Sequence, residues 1–234
     1  MVQGINKYWV NKADDFHKID NVEREILLPY IAEIVNDINP PKMLDYGCGS
    51  AYLSKLIDVN TEISLFDINR SIVDGYDKGR VKNKIVKIRE HSKIPEDYFD
   101  VVVQSSVLMC IPSIDQIRNV FSTNYTALKN EGTLVLVITH PCFLQYQFGH
   151  YHTSFNHSNF DYLNDGLEYE VVMKQMDKEP IRFTDYHWKL STILNEMINT
   201  GFTLNKMIEH KDLESKYPEN NKLVTPWIFL IAQK

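Results

Sequence analysis

The sequence predicts an α/β domain built on a doubly wound, mostly parallel sheet. Three observations carry that expectation. Short β-branched runs alternate with stretches of helical period from about residue 27 to residue 140. Two of those runs, Tyr98–Gln104 and Thr133–Thr139, are almost continuously apolar, as strands covered on both faces are. After His140 the rhythm breaks, and it resumes only with one amphipathic helix and two closing strands.

In order along the chain, Leu27, Tyr30, Ile31, Ile34, Val35 and Ile38 recur at helical spacing, and Pro40-Pro41 ends that helix. Lys42–Asp45 reads as a short buried strand that runs into a glycine turn, with Ser50 as N-cap of a helix through Leu53, Leu56 and Ile57. Glu62–Phe66 is the second strand, and Asn69 caps the helix through Ile72 and Val73. Lys84–Ile88 is the third strand and Tyr98–Gln104 the fourth. Ser113 and Gln116 form a capping-box pattern opening a helix to about Lys129, with Gly132 at its end. Thr133–Thr139 is the fifth strand. Between Pro141 and His187, aromatic, His and Asn residues accumulate around two strand-like pieces, Glu168–Met173 and Pro180–Phe183, which read as an inserted loop and hairpin. Leu190, Ile193, Leu194, Met197 and Ile198 mark a helix closed by Gly201, and Phe202–Ile208 and Val224–Ala232 finish the chain as strands.

Length and composition narrow the function. The 234 residues, 44% hydrophobic and 24% charged, suit one large globular domain rather than a disordered or fibrous chain. A net charge of −6 is a poor match to a broad phosphate-binding face, so nucleic acid is an unlikely partner on charge alone. Cys48, Cys110 and Cys142 lie far apart without a CxxC pair, which excludes a disulfide framework and a zinc-ribbon spacing. The first residues lack a signal-peptide pattern, and the longest apolar run, Trp227–Ala232, is too short to span a bilayer. The expectation is a cytoplasmic protein with no membrane partner.

The chemistry concentrates in Met43-Leu-Asp-Tyr-Gly-Cys-Gly-Ser-Ala-Tyr-Leu53. Gly47 and Gly49, after a strand and before a predicted helix, let the backbone turn sharply and approach a ligand. A helix N-terminus there offers free N–H groups and a positive dipole end. A dinucleotide fold needs a third glycine where this chain has Tyr52, which weakens a pyrophosphate reading. Asp45, two residues before the first glycine, replaces it as the distinctive feature.

This segment resembles the first motif of class I S-adenosylmethionine (SAM)-dependent methyltransferases, LDxGCGxG. The resemblance implies a Rossmann-like seven-stranded sheet, mostly parallel with the last strand antiparallel, plus an inserted lid or hairpin. It implies that Asp45 helps hold the amino-acid end of SAM and that Gly47 and Gly49 let the ligand lie against the backbone, with Ala51 where the family has a later glycine. Asp67, with Ile68 after it, ends the second strand where the family binds ribose. Glu90-His91-Ser-Lys-Ile-Pro-Glu-Asp-Tyr-Phe-Asp100 is similar to the DAxxLPxxxxxFD segment, which places Glu90 and His91 at adenine. Ser105 falls where the family contacts the amino-acid or methyl end. Leu128-Lys-Asn-Glu-Gly-Thr-Leu resembles LKPGGxL with one glycine missing, and His187-Trp188 resembles a YHR segment. The chain then divides into an N-terminal helical cap at 1–40, a SAM-binding half at 41–140, a lid insertion at 141–187 and a C-terminal helix with strands at 188–234. Tyr8 and Trp9 are positioned in the cap either to fold over SAM or to anchor it hydrophobically.

The resemblance implies a SAM-dependent methyltransferase acting on O or N of a small-molecule metabolite. A tRNA or protein acceptor, an NAD-dependent oxidoreductase and a non-catalytic SAM-binding protein are the alternatives. His140 is the candidate general base, since ligands of open α/β sheets lie beyond the strand C-termini; a hydrogen-bonded structural histidine is its other reading. Met109, Phe143, Tyr186, His187 and Trp188 are the candidate acceptor contacts. His140, His150, His152, His157 and His187 match no trusted metal signature, so no metal is expected. Pro141-Cys142 resembles the Pro-Cys nucleophile of cytosine C5 methyltransferases, but the acidic charge and lack of a basic extension speak against it.

Overall fold

Ile31, Ala32 and Val35 lie on one face at helical spacing, and that face is buried. The helix they form, α1 (Leu28–Ile38), carries Pro29 in its first turn, where no backbone donor is lost. Asn39 closes it in the left-handed conformation, donating its N–H to the Val35 carbonyl at 2.9 Å, and Pro40 prevents continuation. The computed structural model describes residues 26–76, 79, 81–144, 151–154, 160–175, 178–209 and 225–234.

The main sheet contains β1 (Lys42–Tyr46), β2 (Glu62–Phe66), β3 (Lys84–Ile88), β4 (Phe99–Ser105), β5 (Leu128–Thr139), β9 (Thr203–Glu209) and β10 (Trp227–Gln233). Their spatial order is β3-β2-β1-β4-β5-β10-β9. The first five pair in parallel, and β10 inserts antiparallel between β5 and β9. This is the expected seven-stranded sheet with an antiparallel last strand.

Side chains alternate across this sheet into two cores. On one face Leu44, Val102, Leu134, Leu136, Ile228 and Leu230 pack with α3 (Ile114–Ala127) and α4 (Leu190–Thr200). On the other, Met43, Val101, Val103, Val135, Val137 and Phe229 pack with α1, where Tyr30 meets the Phe229 ring edge-on at 4.9 Å. Double coverage explains why β1, β4 and β5 read as apolar runs rather than alternating ones. The short helix α2 (Arg70–Gly75) follows β2; Asn69 caps it by accepting the Ser71 N–H at 3.0 Å, as its sequence predicts.

Two expectations need correction. The segment after the glycine turn forms only a 3-10 turn over Tyr52–Lys55, with Ala51 in the left-handed region at φ 50° and no Ser50 cap. The left-handed residue interrupts helical continuity, and Leu53 and Ile57 reach the core without a longer helix. No full helix dipole therefore points at this turn. The helix predicted to Lys129 ends at Ala127, because Leu128 already pairs with Phe99 as the start of β5. Glu131 supplies the irregularity at φ 63°, and Gly132 is required because a Cβ there meets the Lys129 carbonyl at 2.8 Å. The expected inserted hairpin is present as β7 (Leu167–Gln175) and β8 (Lys178–His187), and β6 (Tyr151–Ser154) pairs with β7 to make a separate three-stranded antiparallel sheet.

Candidate active site

The C-terminal ends of β1, β2 and β4 meet at the glycine turn. After β1 the chain reverses because Gly47 adopts φ 79° and Gly49 φ 47°. The Phe66 carbonyl at the end of β2 accepts both the Gly47 N–H (2.8 Å) and the Cys48 N–H (3.0 Å). Asp67 completes the closure: one carboxylate oxygen accepts the Gly49 N–H at 3.0 Å and the other the Asn69 N–H at 2.9 Å. The two glycines serve different ends. A Cβ on Gly47 falls 2.4 Å from Val107 Cγ2, whereas one on Gly49 meets nothing within 4 Å. Gly47 fits a tight protein contact, and Gly49 borders open space.

Asp45, at the end of β1 before this turn, is 5% exposed, and its carboxylate accepts no hydrogen bond among the described residues. Burial, and then the charge of Asp67, pushes its pKa up to about 7. The Cys48 thiol is also driven upward by burial and by the two carboxylates, so it stays protonated and is no nucleophile. A buried carboxylate that resists ionisation is stabilised by a cation brought to it. The open side of Gly49 leaves room for that cation's carrier, and the residues thus fit the amino-acid end of SAM.

The remaining predicted cofactor residues lie at or just past the C-terminal ends of β2, β3 and β4. Ile68 is 42% exposed, an uncovered apolar side chain beside Asp67. Glu90 is exposed and pairs with Arg70 at 3.3 Å. His91 packs edge-on against Phe66 and Tyr46, and burial lowers its pKa. Its Nε2 lies 3.2 Å from Thr123 Oγ1, a hydroxyl that already donates to the Asn119 carbonyl, so Nε2 carries the proton. Ser105 ends β4, and Ser106 follows at φ 57° with its N–H on the Val137 carbonyl.

Beyond the ends of β4 and β5 lies a cavity of about 20 Å³, room for roughly one water molecule. Met109, Thr139, Tyr169, Tyr186 and Trp188 are among its lining residues. Of the predicted acceptor contacts, Met109, Tyr186 and Trp188 come together here, and Phe143 and His187 do not. Trp188 is held by its Nε1–H to the Ile111 carbonyl at 3.0 Å. Phe143 instead packs on His140, ring centres 4.5 Å apart. His187 is fully buried; its Nε2 donates to the Tyr162 carbonyl at 2.9 Å, and its Nδ1 has no partner among the described residues. Burial holds its pKa low, so the ring is neutral.

His140 is buried at the end of β5 with both ring nitrogens engaged. Nδ1 accepts the Cys142 N–H at 3.2 Å, which places the proton on Nε2, 2.8 Å from Glu209 Oε1. Tyr8, Trp9, His150 and His157 lie outside the described residues, as does the side chain of His152. Among the described residues no cluster of His, Cys, Asp or Glu is arranged to hold a metal ion. Tyr169, which lines the cavity, was not singled out in the sequence; it stands opposite Asp185 in the β7–β8 register.

This strand order, with a carboxylate-closed glycine turn after β1, defines the class I methyltransferase fold. Residues 19–204 match the family described as a methyltransferase domain, and the chain belongs to that family. A SAM-dependent methyltransferase structure from Mesorhizobium loti is 19% identical, covers 88% of this chain and all of its own, and superposes with a TM-score of 0.63. The N-methyltransferase NodS of Bradyrhizobium japonicum, solved with S-adenosyl-L-homocysteine (SAH), is 12% identical with a TM-score of 0.61, over 97% of this chain and 95% of its own. An uncharacterized protein of Haemophilus influenzae is 24% identical over 194 residues, 77% of this chain and 74% of its own length.

Proposed function

We propose that this protein transfers the methyl group of SAM to an oxygen or nitrogen of a small-molecule metabolite. The observation that carries the reading is Asp45, a buried carboxylate whose pKa is pushed up to about 7 beside the open side of Gly49. The α-ammonium of SAM is a cation of the required kind. In this arrangement Asp67 serves ribose, Ile68 covers one adenine face, Glu90 and His91 border the adenine edge, and Ser105 lies toward the methyl end. SAM supplies an electrophilic methyl on a sulfonium, so alignment and exclusion of water do much of the work.

The acceptor lies over the cavity beyond β4 and β5, with Met109, Tyr186 and Trp188 on its wall and Phe143 and His187 behind it. His140 is placed to receive a proton through Nδ1 once the Cys142 N–H contact opens, with Glu209 stabilising the resulting imidazolium. The acidic net charge favours a metabolite over tRNA. The free thiols of Cys48, Cys110 and Cys142 fit a reducing cytoplasm, and no described helix is long and apolar enough to cross a membrane.

Calorimetry with SAH tests the cofactor, and conversion of SAM to SAH with fractionated metabolites tests turnover. We expect SAH to bind and Asp45→Ala to abolish binding. Unchanged affinity in that variant removes the central claim. Nicotinamide dinucleotide binding without SAH binding installs an oxidoreductase, and SAH binding without turnover on any fraction installs a binding protein.

A further inference from the structure

We propose that Arg70, the first residue of α2, is a positioning residue for the base of the cofactor. Its guanidinium holds the Glu90 carboxylate beyond the end of β3, so that the free carboxylate oxygen accepts the 6-amino group of adenine. The inference rests on the methyltransferase reading and adds to it a residue that belongs to none of the sequence motifs. β1, β2 and β3 are neighbours in the sheet, with Asp45 opposite Leu65 and Phe66 opposite Ile88. A ligand whose ammonium meets Asp45 and whose ribose meets Asp67 therefore carries its base on toward β3, since neighbouring strands lie about 5 Å apart. Ile68, an uncovered apolar side chain, and Glu90, two residues past Ile88, stand on that path.

Two contacts fix the guanidinium. Arg70 Nε donates to the Arg89 carbonyl at 2.9 Å, and Nη2 lies 3.3 Å from Glu90 Oε1. One oxygen of Glu90 is thus taken, and Oε2 has no partner among the described residues. The helix that carries Arg70 is itself fastened to β3. Lys87 Nζ donates to the Asp74 and Tyr76 carbonyls, both at 3.0 Å, and Arg89 Nε donates to Asp74 Oδ1 at 2.5 Å. The guanidinium is therefore held relative to the strand that leads to Glu90, and it joins the loop after β2 to the loop after β3.

The free oxygen sets what is read. A carboxylate accepts hydrogen bonds and donates none, so Oε2 suits an amino group on the base and gives nothing to a base without one. A glutamate alone beyond a strand end samples many rotamers, and fixing one of them on binding costs side-chain entropy. Arg70 restricts those rotamers before the ligand arrives. Both side chains of the pair are half exposed or more, so the pair adds little to stability and its loss leaves the fold standing.

The test uses the full chain and two probes, SAH and its analogue with hydrogen in place of the 6-amino group of the base. Calorimetry gives both affinities for wild type, Arg70→Ala, Arg70→Lys, Glu90→Gln and the variant carrying both Arg70→Ala and Glu90→Gln. Melting without ligand checks folding. Absence of SAH binding in wild type defeats the methyltransferase reading itself, separately from this proposal. Where SAH binds, we expect wild type to prefer it over the analogue about tenfold or more, as for a hydrogen bond to a charged group. Arg70→Ala should lose most of that preference while melting like wild type, and Arg70→Lys should keep part of it. In the Glu90→Gln background Arg70→Ala should change nothing further. The preference is a ratio within one variant, so a folding defect does not move it. No preference in wild type, an undiminished preference in Arg70→Ala, or an equal further loss from Arg70→Ala in the Glu90→Gln background overturns the proposal.

Discussion

Asp67 accepts the backbone N–H of Gly49 at 3.0 Å, so the acid at the end of β2 shapes the turn that follows β1. Its other oxygen holds the Asn69 N–H, which starts α2. One side chain thus sets both the turn after β1 and the entry to α2. In Asp67→Asn an amide NH₂ replaces one acceptor and faces a backbone donor. We expect a stability loss of about 1–3 kcal/mol and at least a tenfold loss of SAH affinity, read by thermal melting and calorimetry. Unaltered affinity would mean that the carboxylate only braces the loop.

Gly47 and Gly49 separate folding from binding. Gly47→Ala forces a Cβ to 2.4 Å from Val107 Cγ2 at φ 79°, and we expect it to destabilise by roughly 2–4 kcal/mol. Val107→Ala in the same chain should recover part of that loss. Gly49→Ala has space around its Cβ and only the left-handed strain, about 1–2 kcal/mol. It should fold, yet bind SAH poorly, because the added methyl enters the space the ligand needs. Equal affinity of Gly49→Ala and wild type would place the ligand elsewhere.

The parallel strands and their order of use were legible because the centres of β1, β4 and β5 are covered on both faces, and among their buried residues only Asp45 and Gln104 are polar. Local signals failed where tertiary pairing overrode them. Leu128 and Lys129 continue a helical pattern, but Leu128 is worth more to the fold against Phe99 at the start of β5. Leu53, Leu56 and Ile57 have helical spacing, but Ala51 in a left-handed conformation prevents the helix, and no residue pattern announces that conformation at an alanine. Asp45, Gly47, Gly49 and Asp67 were legible as a set because their spacing is local. The Asp185–Tyr169 pair depends on the β7–β8 register, and a period-two pattern interrupted by charges does not specify register.

His140 offers a direct test of its two readings. Its Nδ1 lone pair holds the Cys142 N–H and its Nε2 proton faces Glu209, an arrangement that pins the turn carrying Phe143. If the ring mainly pins that turn, His140→Ala lowers stability by about 1–2 kcal/mol and turnover by less than tenfold. A turnover loss of about a hundredfold or more, with unchanged SAH affinity, assigns it the base, since general base catalysis contributes at least about that factor.

The raised pKa of Asp45 makes both stability and binding depend on pH, in opposite directions. In the unfolded chain this carboxyl ionises near its ordinary value of 3.8, and in the folded protein at about 7. Between those values the folded state binds more protons than the unfolded one, so stability falls as pH rises through that window and levels off above it. The full penalty above pH 7 is on the order of 4 kcal/mol as an upper bound, since the pKa rises from 3.8 to about 7. Asp45→Asn should therefore melt higher than wild type above pH 7 and lose the advantage toward pH 4. A cationic ligand prefers the ionised carboxylate, so SAH affinity should rise about tenfold per pH unit up to about 7 and then plateau. The Asn variant should bind far more weakly and show no such slope. Melting curves and calorimetry across pH 5–8 read both effects, and a wild-type affinity independent of pH would separate Asp45 from the ligand's ammonium.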